Sequence, residues 1–226
     1  MINKVYILGT KGFSIEVTEY IHDNNKFYKE HINIEGYFDI DNSGYLLNNF
    51  TAPYLGNEKE FYFPSDSSVV IAIADPKAKS KTFDFCKNNN INLSRIIHHS
   101  CFVSEKSIIK DGCILCPFVT ITSNATIGFN FHANIYSYIA HDCIIGNNVT
   151  FAPSVKCNGN VHIGDNVYIG TGSIIKQGKS SSKPLKIGKN STISAGAYVT
   201  KDVPEGMTVF GNPAIEFTKE NIRRRS

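Results

Sequence analysis

A repeat of six residues runs through the second half of the chain and constrains its fold more than any other feature. Moving from Ile127 in steps of six, nearly every position carries a small or aliphatic side chain. An α-helix repeats about every 3.6 residues and a β-strand about every 2, so neither explains a sustained period of six. The period is typical of a β-helix, in which each six residues form one short strand and one corner. This six-residue series consists of Val103, Ile109, Leu115, Ile121, Ile127, Ala133, Ile139, Ile145, Phe151, Cys157, Ile163, Ile169, Ile175, Ser181, Ile187, Ile193 and Val199.

Three sides of six residues predict a triangular coil with eighteen residues in one turn. Ile127, Ile145 and Ile163 are eighteen positions apart, and so are Ile169 and Ile187. A second series of small or branched residues follows the first by four positions. We predict that the six-residue series points inward and stacks coil on coil as the core. The second series is Ala125, Ser137, Cys143, Val149, Val155, Val161, Val167, Ser173, Ser191 and Ala197.

One polar segment, residues 176–184, interrupts the six-residue series and places Ser181 in it. We interpret this segment as an exposed loop pushed out of the coil. Because its length is close to one repeat, the series resumes at Ile187. Contact of Lys179 or Lys183 with a cofactor phosphate is left open beside the simpler interpretation of a solvated loop. Beyond Val199 the pattern stops, and the remaining residues are expected to cap the open end of the coil.

Residues 1–96 alternate short apolar runs with amphipathic segments. The runs at 5–8, 34–38 and 69–74 predict strands, with a short last strand at 96–97. One helix is predicted from Phe13 to about Asn25, and a second begins at Asp75-Pro76, which suit an N-cap and a first helical residue. This alternation is typical of a small parallel sheet of βαβ units. We therefore predict two domains, residues 1–96 of α/β class and residues 97–226 of all-β class.

A glycine-rich turn follows the first predicted strand. Its Gly9-x-x-Gly12 spacing lacks the G-x-G-x-x-G pattern of dinucleotide-binding folds, so a dehydrogenase is not supported. A strand that ends in such a turn and opens a helix still offers N–H groups and a positive helix end to an anion. Ligands of parallel sheets bind at the carboxyl ends of strands, where residues 9–13, Asp39 and Ala74 fall. Phosphate or nucleotide-sugar binding is the interpretation we favour, and plain turn chemistry is the alternative.

His141 is the first candidate for chemistry within the repeat. It follows Ile139 by two positions, so its side chain should point outward near a corner, with Asp142 beside it. An imidazole next to a carboxylate can act as a general base near neutral pH. Neighbours on a strand face opposite sides, so direct contact between the two side chains requires a corner. A surface histidine without a role is the alternative, and it applies equally to His98, His99, His132 and His162.

The cysteines and the overall composition exclude several classes of protein. Cys113 and Cys116, with Cys101 and His98 nearby, lack the four well-spaced ligands of structural zinc, so we predict no metal. The six cysteines show no disulfide framework and suggest a reducing compartment. Neither an apolar run of roughly 18 residues nor a signal peptide is visible, so no membrane span is expected. A net charge of +3 gives no reason to expect nucleic acid, and we expect a cytoplasmic protein.

The order of short motifs along nearly all 226 residues resembles a known family. The chain is similar to the sugar acetyltransferases of the sialic-acid O-acetyltransferase type. Within them it looks most like the nucleotide-linked amino-sugar N-acetyltransferases of the bacillosamine and perosamine pathways. After the glycine-rich turn, the motifs are Gly-Tyr-Phe-Asp at 36–39, Ile-Ala-Ile-Ala-Asp-Pro at 71–76, Ile-Ile-His-His-Ser at 96–100, Ala-His-Asp-Cys-Ile-Ile-Gly at 140–146 and Gly-Asn-Pro-Ala at 211–214.

The resemblance implies a Rossmann-like N-terminal domain followed by a left-handed parallel β-helix. It further implies a homotrimer with active sites between neighbouring subunits, His141 as general base and Asp142 as the group that supports its basicity. Acetyl-CoA would lie along the coils, with contacts at Thr150, Thr171 and Ala195, and with Gly159 near the thioester. The sugar nucleotide would be held at Lys11, Gly12, Phe13, Asp39, Ile40 and Ala74, with Asn134 beside the sugar.

Four departures from the family pattern bear on the substrate. Gly12-Phe13-Ser14 stands where Gly-His-Gly is common, Ala74 where glycine is usual and His99 where proline is common, and the loop at 179–184 is longer than in the bacillosamine type. We predict acetyl transfer from acetyl-CoA to the amino group of a UDP-, GDP- or dTDP-linked 4-amino sugar, by direct attack. The alternatives are O-acetylation of a sialic acid or related sugar and a non-catalytic trimeric β-helix scaffold.

Overall fold

The computed structural model describes residues 4–29 and 31–223. Part of the expectation about a signal peptide concerns residues 1–3, which lie outside the described residues. The chain divides into two compact units, Met1–His99 with Asp111–Cys113 and Ser100–Lys110 with Ile114–Ser226. Every helix within the described residues is too short or too polar to cross a lipid bilayer.

The first unit is built on a three-stranded parallel sheet with the strand order β2-β1-β3, as the alternation of elements predicts. Residues Val5 to Leu8 of the central strand are almost fully buried, as is typical of parallel sheets that are covered on both faces. The elements in chain order are β1 (Lys4–Leu8), α1 (Gly12–Tyr28), β2 (Asn33–Phe38), α2 (Ser43–Leu47), a 3-10 helix (Glu58–Glu60), β3 (Ser67–Ile71), α3 (Pro76–Asn88) and β4 (Ile96–Ile97).

The two long helices differ in how well their ends were predicted. Asp75 caps α3, since its side chain accepts a hydrogen bond of 2.7 Å from the N–H of Ala78. Helix α1 continues to Tyr28, so the prediction that it ends near Asn25 is wrong. Asn24 is buried inside it and bonds to the carbonyl of Ile97 in β4 and to the N–H of His99. This tertiary contact outweighs the low helix propensity of asparagine.

The second unit is a coil with three walls of short parallel strands, as the six-residue series predicts. The first wall has the order β7-β10-β13-β16-β19-β21-β22, the second β5-β8-β11-β14-β17-β20 and the third β6-β9-β12-β15-β18. The strands are β5 (Phe102–Val103), β6 (Ile108–Ile109), β7 (Ile114–Leu115), β8 (Thr120–Ile121), β9 (Thr126–Ile127), β10 (His132–Ala133), β11 (Tyr138–Ile139), β12 (Ile144–Ile145), β13 (Thr150–Phe151), β14 (Lys156–Cys157), β15 (Val161–Ile163), β16 (Tyr168–Ile169), β17 (Ile174–Ile175), β18 (Leu185–Ile187), β19 (Thr192–Ile193), β20 (Tyr198–Val199), β21 (Thr208–Phe210) and β22 (Ile215–Glu216). A short helix, α4 (Lys219–Arg223), follows.

The six-residue series forms the core of the coil. Its members from Leu115 to Ile175 are buried, as are the last three, and the whole second series is buried with them. Ile127, Ile145 and Ile163 pair in register on consecutive coils, so the predicted turn of eighteen residues is confirmed there.

The coil that contains residues 176–184 is longer, and one predicted stacking is wrong. Ile163 pairs with Ile187 and Ile169 with Ile193, so both steps span twenty-four positions. Ile169 and Ile187 therefore lie on different walls and do not stack. The extra six residues are taken up by the loop, in which Ser181 is exposed, as the prediction of a loop pushed out of the coil requires.

Residues in the left-handed backbone region occur once in every six positions and make the corners. Ten non-glycine residues of this kind have φ between 53° and 63°, and seven of them are asparagine or aspartate, which tolerate this conformation best. The asparagine and aspartate residues at these corners are thus a second six-residue pattern in the sequence, separate from the apolar series. The ten residues are Phe118, Asn124, Asn130, Tyr136, Asp142, Asn148, Ser154, Asn160, Asn166 and Asn190.

The neighbours Ile144 and Ile145 offer a direct test of the inward series. Ile145 is 2% exposed and Ile144 is 49% exposed, although both lie on β12. We expect Ile145→Ala to lower the free energy of unfolding by about 2–5 kcal/mol, because it leaves a cavity in the core. Ile144→Ala should change it by no more than about 0.5 kcal/mol. Denaturant unfolding measures both, and equal losses would contradict the assignment of the inward face.

Candidate active site

His141 and Asp142 contact each other at a corner of the β-helix unit. His141 Nδ1 lies 2.7 Å from the carboxylate oxygen Oδ2 of Asp142. Asp142 has a φ of 58°, in the left-handed region, and this corner brings two consecutive side chains together. His141 is half exposed, so its side chain points out of the coil as the sequence predicts.

The surroundings of Asp142 determine the tautomer of His141. Asp142 also accepts a hydrogen bond of 3.2 Å from the side-chain amide of Asn124, eighteen positions earlier on the same corner. The hydrogen bond from His141, and then that from Asn124, hold the pKa of Asp142 below its usual value. An ionised carboxylate only accepts hydrogen bonds, so Nδ1 of a neutral His141 carries the proton. Nε2 is then the acceptor, and it has no hydrogen-bond partner among residues 4–29 and 31–223.

Gly159 lies against the imidazole ring, one coil further on. A Cβ atom built on Gly159 would be 2.6 Å from both Cε1 and Nε2 of His141. The backbone joins the two coils here, since the N–H of Asn160 donates to the carbonyl of His141 at 3.0 Å. Glycine at this position therefore leaves Nε2 accessible.

A set of neutral side chains supports this corner from the neighbouring strands. The hydroxyl of Tyr138 bonds to the side-chain oxygen of Asn158, whose amide donates to the carbonyl of Ile175 at 2.7 Å. The Sγ atom of Cys143 lies 3.2 Å from the carbonyl oxygen of Asn158. Sequence reasoning missed Tyr138 and Asn124, although Asn124 occupies a corner position of the periodic left-handed residues.

The first unit contains a cavity of about 600 Å³ at the carboxyl ends of its three strands. Asp39 organises its wall: Oδ2 accepts hydrogen bonds of 2.9 Å from both the N–H and the hydroxyl of Thr10, and Oδ1 accepts one of 2.8 Å from the N–H of Ile40. The cavity brings together six of the residues that the resemblance assigned to the substrate, namely Lys11, Gly12, Phe13, Asp39, Ile40 and Ala74.

Further residues line this cavity that sequence reasoning did not assign. Lys59 and Lys81 add two ammonium groups to that of Lys11, and the N-terminus of helix α1 opens at the same place. Positive groups of this kind suit the phosphates of a nucleotide. The residues missed are Asn57, Glu58, Lys59, Asp75, Ala78, Lys81 and Thr82.

Comparison with known proteins identifies the family. The chain matches the family described as "Bacterial transferase hexapeptide (six repeats)" over residues 124–159 and "Hexapeptide repeat of succinyl-transferase" over residues 160–201. It is 49% identical over 149 residues to the GDP-perosamine N-acetyltransferase of Escherichia coli O157:H7, with 66% of this chain and 67% of that protein covered. The chain belongs to the hexapeptide-repeat acetyltransferases.

Solved structures agree with this membership. WeeI from Acinetobacter baumannii AYE is 40% identical to this acetyltransferase, with a TM-score of 0.81 over 94% of this chain and 99% of that one. The acetyltransferase domain of PglB from Neisseria gonorrhoeae FA1090, in complex with acetyl coenzyme A, shares the fold with a TM-score of 0.83 at 22% identity, over 95% of this chain and 99% of that one. The stacked parallel strands of the second unit are thus those of a left-handed β-helix of hexapeptide repeats.

The residues that the resemblance assigned to acetyl-CoA do not converge within one chain of the acetyltransferase. Thr150 lies on β13 of the first wall, where it pairs with Tyr168. Thr171 follows that wall, and its carbonyl accepts a hydrogen bond of 2.8 Å from the N–H of Gly196, next to Ala195. His141 and Gly159 follow β11 and β14 of the second wall, so they lie at a different corner.

Asn134 also lies apart from His141 in the acetyltransferase chain. It follows β10 on the first wall, and its backbone N–H donates to the carbonyl of Phe151 at 2.9 Å. Its side-chain oxygen accepts a hydrogen bond of 2.7 Å from the N–H of Ile135. Asn134 therefore shares a wall with Thr150.

Gly159→Ala tests the position of the imidazole without removing it. The new methyl group would overlap His141 Cε1 and Nε2, and the exposed ring would turn away at little cost to the fold. We expect kcat to fall by about tenfold or more, because misplaced catalytic groups lose rate steeply, with a nearly unchanged melting temperature. In a protein that already carries His141→Ala, Gly159→Ala should lower kcat little further. An equal fall in kcat with and without His141 would contradict this account.

Proposed function

We propose that this acetyltransferase moves the acetyl group of acetyl-CoA to the amino group of a nucleotide-linked 4-amino sugar. The observation that carries the proposal is the 49% identity to a GDP-perosamine N-acetyltransferase. A cavity with three lysines on its wall supports a nucleotide substrate, and an unpartnered imidazole nitrogen supports a proton transfer. GDP-perosamine is accordingly the first substrate to test.

The proposed reaction is a direct attack with His141 as general base. The sugar nitrogen forms a bond to the thioester carbonyl carbon while Nε2 of His141 takes one of its protons. Asp142 holds Nδ1–H in place and stabilises the imidazolium ion that results. The C–S bond then breaks, and CoA leaves as a thiolate that takes the proton from the imidazolium. The products are the sugar amide and free CoA.

We assign the backbone N–H of Gly159 to the oxyanion that forms during this attack. Within the described part of the chain this N–H has no hydrogen-bond partner, and Gly159 lies directly against the ring of His141. A donor fixed in advance near the developing negative charge stabilises the tetrahedral intermediate. Its position also agrees with the placement of Gly159 near the thioester that the resemblance implies.

The finer architecture follows from the separation of the assigned residues. We infer a homotrimer in which Thr150, Thr171 and Ala195 of one chain meet His141 and Gly159 of a neighbour, because one chain holds these two groups at different corners. Residues 1–96 are then a Rossmann-like domain that binds the nucleotide. Light scattering on the purified protein tests the trimer.

A turnover screen tests the proposed function. GDP-, UDP- and dTDP-linked 4-amino sugars are each incubated with acetyl-CoA, and free CoA thiol and the mass of the product are measured. We expect an N-acetylated sugar and the highest kcat/KM with the GDP sugar. Failure of every amino sugar would overturn the proposal, and acetylation of a free sialic acid instead would favour the O-acetyltransferase alternative.

A further inference from the structure

A second cluster of titratable side chains lies in the first unit and is separate from the lining of the cavity. Asp23 is on α1, and His98 and His99 directly follow β4. The carboxylate oxygen Oδ2 of Asp23 lies 3.0 Å from Nε2 of His98 and 2.9 Å from Nε2 of His99. The three atoms all fall within 4.8 Å of one another. Tyr20, one turn earlier on α1, packs edge-on against His98 with ring centroids 5.7 Å apart.

The two imidazoles are held in place from several directions. The side chain of Asn24 donates to the carbonyl of Ile97 and accepts from the N–H of His99, both at 2.8 Å. The ring of His99 stacks flat on Phe27, with a centroid distance of 4.1 Å and an interplanar angle of 6°. The side chain of His98 is only 7% exposed. The nitrogen atoms are therefore aimed at Asp23 by contacts that do not involve Asp23 itself.

The distances from the Asp23 oxygen to the two imidazole nitrogens suit a metal ion. Imidazole nitrogen and carboxylate oxygen bind first-row divalent ions at about 2.0–2.1 Å, which puts adjacent ligands of an octahedral ion about 3.0 Å apart and those of a tetrahedral ion about 3.3 Å apart. The separations of 2.9 and 3.0 Å match the octahedral spacing. The side chain of Asp23 is 54% exposed, so water can reach the remaining coordination positions.

We propose that Asp23, His98 and His99 form a binding site for a first-row divalent transition-metal ion, such as Zn²⁺, completed by water. The ion would join helix α1 to the segment that follows β4 and so stabilise the first unit. The expectation of no metal considered His98 only together with Cys101, Cys113 and Cys116, and it did not consider Asp23 or His99 as ligands. Asp23 lies 75 positions before His98, so no local motif groups the three residues.

Calorimetric titration of the EDTA-treated, full-length protein with ZnCl₂ tests the site. We expect one Zn²⁺ per chain at this site and a higher melting temperature when Zn²⁺ is bound. Asp23→Asn keeps an oxygen that accepts hydrogen bonds from both rings but weakens the metal ligand. It should therefore fold normally and bind Zn²⁺ about tenfold more weakly or worse. His99→Ala should lose binding to a similar degree.

His31→Ala is the matched control, because His31 is an exposed histidine of the same unit outside the cluster. It should keep both the affinity and the rise in melting temperature. Absence of Zn²⁺ binding by the unsubstituted protein would overturn the proposal, and so would affinity that survives either Asp23→Asn or His99→Ala. In those cases the cluster is a pair of ordinary histidine–carboxylate hydrogen bonds.

Discussion

His141→Ala is expected to lower kcat by a factor of about 10²–10⁴, which is the usual contribution of a general base. The imidazole has one nitrogen bonded to Asp142 and the other open beside Gly159, so the substitution removes the base from this position. The KM values for both substrates should change little, because the ring acts on the transferred proton. Steady-state kinetics with acetyl-CoA and GDP-perosamine measure the effect.

Asp142→Asn is the companion variant. It should lower kcat by a smaller factor than His141→Ala does, because Asp142 supports the imidazole and does not itself carry the proton. Light scattering must show the same oligomer for both variants and the parent, since the side chain of His141 is exposed and makes no core contact. Near-normal turnover of His141→Ala would remove this residue from the mechanism and leave the amine to react unaided.

Asp39→Ala should raise the KM for the nucleotide sugar by about 10- to 100-fold, as expected when hydrogen bonds of about 1.5–3 kcal/mol to a charged group are lost. Asp39 holds the N–H and hydroxyl of Thr10 and the N–H of Ile40, so its removal frees two strand ends that line the cavity. The KM for acetyl-CoA should stay within about twofold if the two substrates bind separately.

Asp41→Ala is the matched control for this prediction. Asp41 is an exposed carboxylate two positions further on, and it bonds to Ser43 outside the cavity lining. Calorimetric titration of each variant with GDP measures nucleotide affinity directly, and so separates a loss of affinity from a loss of turnover. Equal KM values for the two variants would show that Asp39 does not organise the nucleotide site.

Particular residues show how far the sequence could lead. The phase of the repeat placed Ile145 inside and His141 outside, and both positions are confirmed. The same phase could not show on which wall Ile187 lies. The loop at 176–184 adds six residues to one coil, so Ile187 stays in the six-residue series but stacks on Ile163, twenty-four positions earlier. The cavity residues that were predicted, residues 9–13, Asp39 and Ala74, lie at the carboxyl ends of strands, where a ligand of a parallel sheet is expected. Lys59 and Lys81 were missed, since they reach the cavity from separate segments.

By itself, the sequence determined that the second half of this chain is a three-sided coil, with His141 and Asp142 outside it. It could do so because every six residues place small or aliphatic side chains at the same inward positions, so each repeat carries the same signal. Only the tertiary structure decided that Gly159 faces His141 Nε2, that Asp39 clamps Thr10, and that Asp23 meets His98 and His99. The eighteen-residue turn stacks Gly159 on His141, but the direction of the imidazole ring depends on its bond to Asp142. The contacts of Asp39 and Asp23 join residues on different elements and depend on strand register and helix packing, which no local spacing encodes.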